Sequence, residues 1–188
     1  MTEPKEIHKY IDNITSGKVV AGELEKKSVE RYLNDKLMMY DKGWYFDVKS
    51  ATRPLIFFGY LNHGKGRDFA GRKFLLEPWQ QFALWNVFGW KKEGGRRRFN
   101  EYYLDVSRKN GKTTFAAGVG LYMLSSDGEA AAEVYSAATT YPQASISLTE
   151  AKNILRYSPN LSSSFGVHSH AISHPNSGSS FKPVSNHL

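Results

Sequence analysis

Residues 101–114 read Glu101-Tyr102-Tyr103-Leu104-Asp105-Val106-Ser107-Arg108-Lys109-Asn110-Gly111-Lys112-Thr113-Thr114. Tyr102, Leu104 and Val106 alternate as the side chains of a strand do, so a short strand is expected to end near Val106. A tight basic turn follows. After it, Phe115, Ala116, Ala117, Val119, Leu121, Tyr122, Met123 and Leu124 come almost without charge, which predicts a helix starting near Lys112 and buried on most sides. Strand, turn and buried helix is the setting in which backbone N–H groups at a helix N-terminus cradle phosphates. In the usual motif a Lys reaches the terminal phosphates and the next hydroxyl holds Mg²⁺. Gly111, Lys112 and Thr113 fill its last three places, while Val106 stands where its first glycine belongs. A bare Gly-Lys-Thr also occurs as a surface turn; the flanking elements are what favour the phosphate loop.

The chain has 188 residues, 40% of them hydrophobic, enough for one ordinary domain or part of a larger one. It contains no cysteine, which excludes disulfides, thiolate catalysis and Cys-ligated zinc within this sequence. No apolar run approaches the ~20 residues of a membrane-spanning helix, and the polar start is unlike a signal peptide, so a protein without membrane attachment is expected. The net charge of +7 is concentrated: residues 61–112 hold twelve Lys and Arg against five Asp and Glu. Such a segment suits a nucleotide or a nucleic-acid backbone, and equally a solvated basic face.

Upstream, Ile7, Tyr10, Ile11 and Ile14 have helical spacing closed by Gly17. A second helix is expected from Glu23 to Tyr40, with Val29, Leu33, Leu37 and Tyr40 along its apolar face. Trp44 to Tyr60, with Pro54 in its middle, suggests a short helix with an apolar extension. Pro78 suits the first turn of a helix carrying Trp79, Phe82, Ala83 and Val87 on one face. Gln80 in that helix either sits at the surface or reads an adenine edge, since one amide offers both donor and acceptor. The basic turn Lys91 to Arg98 is open to DNA contact, phosphate contact or plain solvation.

Downstream, Ser125 to Glu129 is a turn and Glu133 to Ala138 a second strand. Thr139-Thr140-Tyr141-Pro142 opens a helix with Ala144, Leu148, Ala151 and Leu155 on one face, stopping near Ser158. Strand and helix in alternation argue for a parallel α/β sheet. Val167–Ile172 and Ser180–Val184 are expected to pair as a hairpin. His168 and His170 would share a face of its first strand, but no third ligand is placed to complete a metal site.

These segments together resemble the N-terminal part of the large terminase subunit of tailed bacteriophages, the ATP-driven motors that package viral DNA. The resemblance is carried by Asp35 and its flanking helix, Leu76 to Phe82, Phe88-Gly89-Trp90, Arg98-Phe99, Ser107 to Thr114, Asp127 to Ala138 and Gln143-Ala144. It covers nearly the whole chain, and the Arg-Lys-Asn-Gly-Lys-Thr form with its absent first glycine is that family's deviant phosphate loop. It implies an α/β fold with a P-loop NTPase-type parallel sheet, incomplete here and preceded by an N-terminal helical region. Residues 1–73 would be that region and 74–188 the front of the ATPase domain.

The resemblance further implies ATP and Mg²⁺ as cofactors. Lys112 becomes the β/γ-phosphate ligand and Thr113 the Mg²⁺ hydroxyl. Arg108 becomes the loop arginine at the γ-phosphate, making Lys112 and Arg108 the implied catalytic pair. Gln80 becomes the adenine reader, and Ser107, Lys109, Asn110, Gly111 and Thr114 complete the nucleotide-binding set. The implied partners are double-stranded DNA, a small terminase subunit, a portal and further large-subunit copies, in the cytoplasm of a bacterial host. The departure is in the acids. Hydrolysis in such enzymes needs a strand ending in Asp, followed by a Glu that activates water. The last Asp here is Asp127, in a turn, and the last Glu is Glu150, in a helix. The expectation is therefore the front of a terminase without hydrolytic carboxylates or nuclease domain, binding ATP without turnover. Two alternatives stay open: another nucleic-acid-dependent ATPase, or a basic non-enzymatic module with a vestigial loop.

Overall fold

The structure is a computed structural model that describes residues 3–39 and 41–186; Tyr40, placed by its spacing on the second helix's apolar face, lies outside them. The chain divides into two compact units interleaved in sequence, Met1–Leu55 with Leu76–Leu104 and Ile56–Leu75 with Asp105–Leu188. No helix among the described residues is long and apolar enough to cross a membrane.

The first unit contains α1 (Lys5–Thr15), α2 (Glu23–Met38), β1 (Trp44–Phe46), most of α3 (Val48–Phe58), α4 (Pro78–Gly89) and β2 (Trp90–Lys92). Ile7, Ile11 and Ile14 bury the expected face of α1 against a core that includes Val29, Tyr32, Ala51, Phe82, Trp85 and Trp90. The apolar face expected for α2 holds in part: Val29 is buried and Leu33 packs against the core, but Leu37 is 80% exposed, and Tyr32 and Asp35 point inward beside Val29. Polar groups decide this face. Tyr32 Oη accepts a hydrogen bond from Trp85 Nε1 at 2.9 Å. Asp35 is paired by Arg98, Nη1 to Oδ2 at 2.5 Å and Nη2 to Oδ1 at 3.0 Å. The Arg98 guanidinium also lies 3.5 Å from the centre of the Trp44 ring and 4.8 Å from that of Phe99. Asp35, Trp90, Arg98 and Phe99, which share in the resemblance, thus meet in one cluster.

Trp44–Tyr60 also differs from expectation. It opens with a strand, β1, pairing antiparallel with β2, and Pro54 lies inside α3 rather than ending it. Asp47 starts α3 by accepting hydrogen bonds from the backbone N–H of Lys49 (2.9 Å) and Ser50 (3.2 Å).

The second unit contains the segment around Asn62–Lys73, α5 (Lys112–Ser125), β3 (Glu133–Ala138), α6 (Tyr141–Arg156), α7 (Pro159–Ser162), β4 (Gly166–Val167), β5 (Ile172–His174) and β6 (Ser179–Ser185). The strand order is β3-β6-β5-β4. β3 and β6 run parallel, while β5 is antiparallel to both β6 and β4. The sheet is therefore mixed: the parallel pairing expected of an α/β fold is present between β3 and β6, while the tight turns joining β4 to β5 and β5 to β6 permit only antiparallel pairing. The hairpin forms across Pro175–Ser177, but His168 and His170 sit in the turn between β4 and β5. They bond to Ser173 (3.0 Å) and Tyr141 (2.8 Å) respectively. Among the described residues no group of three or more His, Asp and Glu is placed to hold a metal.

α5 and α6 cover one face of this sheet, where Phe181 and Pro183 are buried; Tyr135, Lys182 and Val184 on the other face are exposed. Phe57 meets Tyr122 edge to face, and Phe58 packs at a tilt against Phe115 and Phe74, closing the core around α5. The strand expected at residues 101–106 is not formed. A side-chain alternation becomes a strand only where its backbone finds a ladder partner, and this segment has none among the described residues. Tyr103 is accordingly 81% exposed.

Candidate functional site

The helix predicted after the basic turn starts at Lys112. The turn itself is built from two left-handed residues, Lys109 (φ 71°) and Gly111 (φ 73°). Such backbone costs a non-glycine residue on the order of 1 kcal/mol or more, so Lys109 stores strain at the loop tip. Asn110 Nδ2 donates to the Ser107 carbonyl at 3.4 Å, bridging the loop's two sides. Gly111 is the N-cap of α5, and no side chain caps the helix there. The first N–H groups of a helix have no intrahelical acceptor, and the helix dipole adds a partial positive charge at the same point. Open space surrounds Gly111, with nothing within 4 Å of the position a Cβ would take.

The Lys112 ammonium folds back over this turn and donates to the Val106 carbonyl at 3.0 Å. That carbonyl belongs to the residue standing where the usual first glycine would be. Ser107 to Lys112 are exposed, Thr113 and Thr114 half-buried. No acidic residue occurs between Asp105 and Asp127, so the stretch from Arg108 to Lys112 carries three cations and no acid of its own. The donor set is an uncapped helix N-terminus, an open glycine turn and three cations. It fits a chain of phosphates.

Thr114 behaves differently from its neighbours. Its hydroxyl donates to Glu150 Oε1 on α6 at 2.6 Å, and Glu150 Oε2 pairs with Lys65 at 2.7 Å. Neither Glu150 nor Lys65 is among the residues the motif singles out. A signal existed for Glu150, which stands beside the apolar stripe of α6 and four residues before buried Ile154; for Lys65, one cation in an exposed basic loop, there was none. Burial holds the neighbouring His63 below the usual imidazole range, although the charge of Glu150 opposes that shift.

Gln80 belongs to the first unit and is 3% exposed, so it is not the surface glutamine that its spacing allowed. Its Oε1 accepts the Glu77 backbone N–H at 2.9 Å, while the Glu77 side chain accepts the N–H of Gln80. This reciprocal pair closes the N-terminus of α4 ahead of Pro78.

Residues 78–187, more than half of the chain, match the family described as terminase large subunit, ATPase domain. The chain belongs to that family. The fold of this terminase ATPase domain is similar to the crystal structure of the HK97 bacteriophage large terminase, with a TM-score of 0.62 and 20% sequence identity. The similarity covers 73% of this chain and 28% of the HK97 chain, so the terminase sequence in hand spans less than a third of that relative. No curated protein sequence matches it significantly. The family match begins at Pro78, the first residue of α4, and takes in the loop and the whole of the mixed sheet.

Proposed function

We propose that this terminase domain binds ATP with Mg²⁺ through Ser107–Thr114, as the nucleotide-binding part of a motor that packages viral DNA. The observation that carries the reading is the Lys112 ammonium folded across an open turn at the uncapped N-terminus of α5. On this reading Lys112 leaves the Val106 carbonyl for the β- and γ-phosphates, and the amides of the first turn hold the rest of the chain. Arg108, exposed on the same loop, meets the γ-phosphate. Thr113 supplies the protein hydroxyl for Mg²⁺, whose contribution when bound is to neutralise phosphate charge. Gln80 is the residue proposed to read the adenine, through whatever donor capacity its cap leaves free.

Residues 74–188 are then the front of the ATPase domain and 1–73 a helical region before it; the family match starts close to that boundary, at residue 78, whereas the compact units group Leu76–Leu104 with Met1–Leu55. Double-stranded DNA, a small subunit, a portal and other large-subunit copies are the partners of such a motor, in the cytoplasm of a bacterial host. Neither β3 nor β6 ends in a carboxylate, and loss of a group that aligns the attacking water commonly costs factors of about 10² or more. We therefore expect binding by this chain without turnover above background.

Calorimetric titration of ATP with Mg²⁺ tests the reading. Lys112→Ala removes a charge-assisted hydrogen bond and is expected to weaken binding by about 1.5–3 kcal/mol. Equal affinities for the two proteins would remove Lys112 from this role and leave the basic-module alternative standing.

A further inference from the structure

A polar strap runs along α6 to the first turn of α5. The Asn62 backbone N–H donates to Ser158 Oγ at 2.8 Å, and Asn62 Nδ2 to the Tyr157 carbonyl at 2.7 Å. Two residues on, Gly64 presses against the α6 backbone, where an added Cβ would stand 2.4 Å from the carbonyl carbon of Asn153. Lys65 then reaches Glu150 at 2.7 Å. Residues 157, 153 and 150 are one helical turn apart, so the segment descends one face of α6. At its lower end Glu150 passes the connection to Thr114. Glu150 is 2% exposed, and a carboxylate so far from water needs donors for both of its oxygens.

We propose that Glu150 is a positioning residue for the phosphate loop, locked by the Asn62–Lys65 strap. The first turn of a helix lacks intrahelical acceptors for its N–H groups and is the part most prone to open. Thr114 ties that turn to α6, which fixes the directions of Lys112 and Thr113 just before it. Lys65 has a second consequence. Its ammonium neutralises Glu150, so the anchor adds little net negative charge beside a site built for phosphates. The ligand of the loop rests on the proposed nucleotide reading; the anchoring does not.

The test uses the full chain with Thr114→Val, which keeps the shape and loses the hydroxyl, Thr114→Ser, which keeps the hydroxyl, and Lys65→Met. Amide hydrogen exchange at residues 112–115 is followed without nucleotide, and ATP affinity with Mg²⁺ by calorimetry. Thr114→Val and Lys65→Met are expected to speed exchange and to weaken ATP binding, Thr114→Val by roughly five- to tenfold, the worth of one part-buried hydrogen bond, and Lys65→Met by less, because the Lys65 side chain is largely exposed. Thr114→Ser is expected to restore both. Wild-type exchange and affinity in Thr114→Val overturn the proposal, as does a Thr114→Ser protein that behaves like the valine variant. If the wild type binds no ATP while exchange responds as expected, the anchor stands and the nucleotide reading falls. Should Thr114→Val fail to fold, Lys65→Met carries the same two readouts.

Discussion

Gln80 shows how a side chain proposed to read a ligand already carries a structural load. Its Oε1 is committed to the Glu77 N–H, so removing the amide is felt by the helix before any ligand is considered. Loss of such a cap costs about 1 kcal/mol, which in a chain of this size shifts Tm by roughly 2–4 °C. Gln80→Ala is therefore expected to melt lower in the absence of nucleotide, by circular dichroism; an unchanged Tm would show that the cap is dispensable. The adenine-reading role has its own signature, a reduced preference for ATP over GTP, and only that ratio separates recognition from capping. The loop was visible in the sequence because Gly111-Lys112-Thr113 stands directly ahead of the apolar helix pattern from Phe115, a combined signature of residue identity and spacing. Glu150 and Lys65 carry no such signature. What they do is set by a fold that brings residue 65 to residue 150.

Elements with strong periodicity were legible: α1, α4, α5, α6 and β3 lie where the apolar spacing and the Pro and Gly punctuation place them. Elements that depend on partners were not. The residues before the loop have the alternation of a strand and no ladder, the inward face of α2 is chosen by Trp85 and Arg98, and the order of the sheet is a tertiary property. Close packing within an element is likewise invisible in the sequence. In α5, an added Cβ at Gly118 would stand 2.6 Å from Cζ of the fully buried Phe58 ring. Gly→Ala in a free helix gains up to about 1 kcal/mol, whereas overpacking a buried ring costs about 1–3 kcal/mol. Gly118→Ala is expected to lower Tm, the opposite of the helix-propensity trend, and a rise in Tm would mean that Phe58 has room to move aside.

The basic run from residue 61 to 112 looks continuous in the sequence, yet the two units share it. Lys91, Lys92 and Arg96 to Arg98 fall in the first, and Lys65, Arg67, Arg72, Lys73, Arg108, Lys109 and Lys112 in the second. Several of these cations are already engaged, Arg98 by Asp35, Lys65 by Glu150 and Lys112 by a carbonyl. Counting charge along the chain therefore overstates what either unit offers to a polyanion. The same division has an optical consequence. All four tryptophans, Trp44, Trp79, Trp85 and Trp90, belong to the first unit, while the aromatic residues of the second, which holds the loop and the mixed sheet, are tyrosine and phenylalanine. Indole emission excited at long wavelength thus reports on the first unit alone. In a denaturant titration it is expected to follow the melting of the Trp85 and Trp90 core, whereas far-ultraviolet dichroism follows both units. Coincident transitions would show that the units unfold as one cooperative body, and separated ones would make the native indoles a built-in label for the half of the molecule that does not carry the loop.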